Sequence, residues 1–104
     1  MIRAASNGAA MIESFRDRKA EAIFKRRDPG KGFPPDLIRA ARRKLVMIHR
    51  AKVLQDLRSP PSNHLEALKD DRAGQHAVRI NDQWRVCFVW TERGAENVEI
   101  VDYH

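Results

Sequence analysis

A chain of 104 residues with 42% hydrophobic side chains, 5 glycines and 5 prolines has the makings of one small domain around a single core. Its single cysteine rules out an intrachain disulfide and fits a reducing compartment, and no apolar run reaches the roughly 20 residues of a membrane span. The charge is uneven: residues 1–52 hold 14 Lys/Arg against 5 Asp/Glu, net +9, while residues 53–104 hold 6 against 9, net −3. Such a basic half suits a polyanion or an acidic protein partner, and equally a solvated helix face.

The opening residues 1–10 lack an apolar core of signal-peptide length and read as a flexible extension, which leaves residues 11–104 as one domain in a cytoplasmic protein. Ile12 to Phe15 is a short strand or an extended lead-in. Asp17 to about Arg27 places Ala20, Ile23 and Phe24 on one stripe, which predicts a short amphipathic helix with Ser14 or Asp17 as the N-cap. Pro and Gly in "DPGKGFPP", residues 28–35, end it. Asp36 to about Lys52 is a second helix, with Leu37, Ala41, Leu45 and Ile48 on its apolar face. Arg39, Arg42, Arg43, Lys44 and Arg50 lie off that stripe, and His49 sits beside it. Periodicity is lost from Val53 to Asn63, and "HLEALKDDRAG", residues 64–74, is a polar lead into a sheet.

Three strands follow. His76, Val78 and Ile80 alternate with Ala77 and Arg79, and Asn81-Asp82 tolerates the conformations of a tight hairpin turn. Trp84, Val86, Phe88 and Trp90 recur at period two, and Gly94 in "TERGA" is free to take positive φ. Val98, Ile100 and Val101 carry the last strand into Asp102-Tyr103-His104. The expected fold is α+β, with two N-terminal helices packed on a curved antiparallel sheet.

Metal, phosphate-loop and serine-hydrolase signatures are missing, so no cofactor or metal is expected. Cys87, in an apolar strand, reads as a buried small hydrophobe. The chemistry-bearing residues are Glu66, Lys69, Arg72, Arg79, Arg85 and the final Asp-Tyr-His, with His64 upstream. RNA cleavage without a metal needs a base for the 2′-hydroxyl, cations for the crowded phosphate and an acid for the 5′-oxygen, and these side chains supply all three. A solvated sheet face explains Arg79 and Arg85 equally well, and His76 reads as structural.

In "LKDDRAG" (68–74), "RINDQWRVCFVW" (79–90) and "VEIVDYH" (98–104), the chain resembles the HigB toxins of the RelE/ParE superfamily. The resemblance runs from Met11 to the end. It implies a compact RelE-like toxin fold and the toxin of a type II toxin–antitoxin pair. It further implies ribosome-dependent cleavage of mRNA, a helix-turn-helix, HigA-like antitoxin and operator DNA reached only through that antitoxin. Carried over residue by residue, Lys69, Arg85, Asp102, Tyr103 and His104 are the catalytic set. Arg39, Arg42, Arg43, Lys44, Arg72 and Arg79 are expected to touch RNA or the ribosome. Two positions depart from the family pattern. Glu66 stands where many members carry a contributing histidine, so Glu66 takes that role, His64 reaches in, or the contribution is absent. Asp70 stands where Gly is usual and sets a carboxylate beside Lys69. Two other readings remain: a non-catalytic gyrase poison of the ParE type, and an inactive member that serves with its antitoxin in operon repression.

Overall fold

The computed structural model describes residues 11–103. The expected extension at 1–10 and the terminal His104 lie outside the described residues. Strand β1 (Met11–Ile12) opens the fold, helices α1 (Arg18–Phe24) and α2 (Ile38–Arg50) follow, and β2 (Glu66–Ala67), β3 (His76–Arg79), β4 (Trp84–Thr91) and β5 (Gly94–Asp102) complete it. These strands form one sheet in the order β1-β5-β4-β3-β2.

Two features correct the expected layout. The helices lie between β1 and the rest of the sheet rather than at the N-terminal end. The sheet is also mixed, because β1 runs parallel to β5, with Met11 opposite Gly94 and Ile12 opposite Ala95. A two-residue strand shows no alternation, so its pairing was not readable from side chains. Backbone bonds hold it instead: Glu13 N–H donates to Ala95 O at 2.7 Å and Arg16 N–H to Val98 O at 2.8 Å. Gly94 serves this approach as well as the turn. Its φ is +127°, and a Cβ there would run into the Met11 carbonyl.

Asp17 is the N-cap of α1: one carboxylate oxygen accepts from Ala20 N–H at 2.6 Å, and the other accepts from Ile100 N–H at 3.1 Å. One side chain thus caps the helix and docks it on β5. The helix stops at Phe24, earlier than its apolar pattern suggested, and Arg26 takes a φ of +61° just beyond it. A 3₁₀ turn, Pro35–Leu37, leads into α2, whose Ala41, Leu45 and Ile48 are fully buried. These pack with Val78, Val86, Phe88, Val98 and Ile100 from the inner sheet face, and Phe33 meets Trp84 edge-on at 5.0 Å.

Lys44 is a third correction. It lies one turn from Ala41 and Ile48 on the apolar stripe, not off it, and is only 7% exposed. Its ammonium donates to Asn63 Oδ1 at 2.6 Å, and Asn63 Nδ2 donates to Leu57 O at 3.1 Å. Burial pushes the Lys44 pKa down, with the Arg43 charge adding to the effect. The aperiodic connection is therefore pinned by a polar hub, and Lys44 leaves the set of surface cations.

Candidate functional site

Strand alternation divides the sheet chemically. Trp84, Val86 and Phe88 of β4 point to the helices, while Arg85 and Cys87 point away. Register then places Arg79 of β3 and Val101 of β5 beside Arg85, and Ala77 and Glu99 beside Cys87. A small apolar patch of Leu68, Ala77, Cys87 and Val101 forms the floor of this outer face. Burial pushes the Cys87 thiol up to about 11, so it is a packing group and not a nucleophile.

Above that floor opens a cavity of about 340 Å³, lined among others by Glu66, Lys69, Asp70, Arg72 and Tyr103. The segment expected to be a polar lead builds its wall. Glu66 sits on β2 opposite Ala77, and Leu68 N–H donates to Gln75 O at 2.9 Å. Lys69 then precedes a 3₁₀ turn, Asp70–Arg72, and stays exposed. Asp70 has φ +55°, a left-handed conformation that a glycine adopts at least cost and an aspartate at some. The position where the family carries Gly is thus a backbone requirement that this chain meets with a carboxylate.

Tyr103 comes from the far end of the chain. Its N–H donates to Gln83 O at 2.6 Å, and the Arg85 guanidinium lies over its ring, 5.0 Å from the centroid. Arg85 is itself held by the hairpin turn, since its Nη1 donates to Asn81 O at 2.6 Å. Lys69 and Tyr103 therefore share the cavity, and Arg85 stands one contact behind them. Arg72 lines the same cavity but is anchored: its Nη1 donates to Glu99 Oε2 at 2.9 Å and to Gln75 Oε1 at 3.0 Å. The Glu99 hydrogen bond raises the Arg72 pKa against the opposing effect of burial. Sequence reasoning missed Glu99. Its alternation with Val98 and Ile100, opposite Cys87, was the available signal.

The other expected site residues scatter. Asp102 pairs with Trp84 in register, on the side of the strand opposite Val101 and Tyr103, and accepts from Gln83 Nε2 at 3.2 Å. His64 is exposed with φ +47° and does not line the cavity. Arg79 pairs with Asp82 across the turn. Arg39, Arg42 and Arg43 lie on α2, around a separate open cavity of about 440 Å³ floored by Val46 and Met47. Arg42 is tethered there, its Nε donating to Ile23 O at 3.2 Å. His49 is a boundary residue: its Nδ1 accepts from Ile12 N–H at 3.2 Å and its ring rests 5.0 Å from that of Phe24. Among the described residues, no group of three His, Cys, Asp or Glu is placed to hold a metal ion, and no helix is long and apolar enough to cross a membrane.

Comparisons with known proteins bear on the chain as a whole. The family model described as a RelE-like toxin of the type II toxin–antitoxin system HigB covers residues 13–104. Toxin HigB-1 of Vibrio cholerae is 31% identical over 87 residues, 84% of this chain and 92% of that protein. An uncharacterised protein of Haemophilus influenzae is 33% identical over 86 residues, 83% of this chain and 85% of its own length.

Proposed function

This chain belongs to the RelE-like HigB toxins of type II toxin–antitoxin systems, a membership that implies an antitoxin partner, and on that premise we propose that it is a ribosome-dependent endoribonuclease that cuts mRNA. One observation carries the reading: Lys69 and Tyr103, from opposite ends of the domain's sheet-forming half, line one cavity, with the Arg85 guanidinium stacked on Tyr103. A toxin that only gripped a protein surface would have no need of that convergence.

In the proposed reaction the 2′-oxygen of one nucleotide attacks the phosphorus beside it. The bond to the 5′-oxygen breaks, leaving a 2′,3′-cyclic phosphate and a free 5′-hydroxyl. A base takes the 2′-hydroxyl proton and an acid returns one to the leaving oxygen, so no water is consumed. Lys69 neutralises the non-bridging oxygens as charge builds on them, which is where preorganised cations lower the barrier. Arg85 fixes the Tyr103 ring and adds positive potential behind it. Glu66 at the cavity and Tyr103 carry protons, with His104, assigned through the family resemblance, as the third such group. Asp102, on the other side of the strand, orients the chain end. Arg39 and Arg43 contact ribosomal RNA backbone. A HigA-like helix-turn-helix antitoxin neutralises the toxin and carries any contact with operator DNA.

The test is a cell-free translation reaction with the 5′ ends of the mRNA mapped. Wild-type protein is expected to cut within codons only when ribosomes are present, and Lys69→Ala or Arg85→Ala to cut on the order of 10²–10³ times more slowly. Intact message together with a DNA-damage response in cells would move the protein to the gyrase-poison class. A chain harmless when expressed alone would mark it as an inactive partner of its antitoxin.

A further inference from the structure

The buried contact between Lys44 and Asn63 sits at the root of the cavity wall. Asn63 is fully buried and uses both ends of its amide. Its Oδ1 accepts from the Lys44 ammonium at 2.6 Å, while Nδ2 donates to Leu57 O at 3.1 Å and to Ser59 O at 3.3 Å. One side chain thereby ties the connection to itself and to α2. Burying an ammonium is costly, and two apolar side chains could fill the same space without that cost. An apolar contact tolerates sliding, whereas the directed bonds of an amide admit one placement of the backbone that carries it.

That backbone leads straight to the site. His64 follows with φ +47°, turning the chain, and Leu65 packs against the core. Glu66 is three residues from Asn63, and Lys69 is six. Between them β2 pairs with β3 over two residues, both exposed. Beneath it, on the inner side, lies a cavity of about 220 Å³ lined by Leu54, Leu65, Ala67 and His76 among others. Side chains therefore do not wedge β2 from below, and its placement is set from its two ends. At the far end Leu68 N–H donates to Gln75 O, and at the near end stands Asn63. We infer that Lys44 and Asn63 are positioning residues, which fix β2 so that Glu66 and Lys69 meet the substrate phosphate in step with Tyr103. Neither touches substrate. This rests on the endoribonuclease reading above. It adds that the geometry of the cavity is set from the other side of the sheet, by a contact on α2.

The experiment compares wild type with Lys44→Met/Asn63→Ala, which leaves no buried charge at the contact. A third chain, Ile23→Val, trims a fully buried side chain of α1 and lowers stability without touching that contact. Lys44→Met alone replaces the double variant should that chain fail to fold. Each is assayed at a temperature where its melting curve shows it folded. In ribosome-dependent cleavage the double variant is expected to lose on the order of 10²-fold in kcat with KM unchanged, the effect of misplacing a positioned group by about 1 Å. Ile23→Val should cut at the wild-type rate. Hydrogen exchange supplies a readout that needs no RNA. The Leu68 amide, bonded to Gln75 O, should exchange on the order of tenfold faster in the double variant, with the amide of Val86 in β4 unchanged. Wild-type kcat in the folded double variant, an equal loss in Ile23→Val, or unaltered Leu68 exchange would overturn the inference. If wild type itself leaves message intact, the nuclease reading falls, and Leu68 exchange alone decides whether the contact fixes β2.

Discussion

The two faces of one sheet teach the main lesson of this molecule. On the inner face Val78, Val86, Phe88, Val98 and Ile100 are all but fully buried under α1 and α2. On the outer face the alternate residues of the same strands include Arg79, Arg85 and Glu99, with Tyr103 just past the end of β5, laid over a patch of four apolar side chains. One residue step along β4 separates a side chain that holds the fold together from one that is free to meet a ligand. Inner-face changes should therefore cost stability, and outer-face changes should cost activity with the fold intact.

The largest expected effect breaks the inner face. Phe88→Ala removes a fully buried ring and should lower unfolding free energy by about 3–5 kcal/mol in urea titrations. Tyr103→Ala on the outer face should leave that titration within about 1 kcal/mol of wild type, since the ring is only partly buried, yet slow mRNA cleavage by roughly 10²-fold or more. A Tyr103→Ala protein that unfolds as readily as Phe88→Ala would erase the distinction between the faces.

The polar hub gives a smaller effect. Asn63→Ala strips the buried Lys44 ammonium of its acceptor and should cost about 1–3 kcal/mol. Adding Lys44→Met should recover part of that loss, because no orphaned charge then remains. Burial also depresses the His76 pKa below 6.5. Between that lowered value and 6.5 the unfolded chain binds more protons than the folded one, so stability should fall as pH drops below 6.5. His76→Phe, whose ring should keep the stack on Phe88, is expected to flatten melting temperature between pH 7.5 and 5.5. An equal pH slope in the variant would assign the effect elsewhere. Asp70→Gly should change stability least, by under about 1 kcal/mol, because it relieves the positive φ while loosening the unfolded chain. It also removes a carboxylate beside Lys69, so a modest rise in cleavage rate is expected.

What was legible in the sequence follows the same divide. Period-two alternation in β3 and β4 and the hairpin at Asn81-Asp82 came through because one face is apolar and the other is not. Asp17 was readable as a cap because carboxylates favour that position. The strands β1 and β2 hold two residues each, too few for any period, and their pairing is written in backbone bonds alone. Lys44 was misplaced because residue type suggested solvent while its helical position, between Ala41 and Ile48, dictated burial. Lys69, Tyr103 and Glu66 were singled out by type and resemblance, but their meeting in one cavity depends on β2, which had no signal. The adjacency of Asp102 to Tyr103 in the chain misled in the opposite sense, since strand alternation sends the two side chains apart.

The most direct test of the central claim maps mRNA 5′ ends genome-wide in cells induced for wild-type, Lys69→Ala or Arg85→Ala chains, with folding of each checked by its melting temperature. The outer-face account predicts cuts within translated codons for wild type and their near disappearance in both folded variants. Cuts that persist at wild-type levels in either folded variant would contradict it.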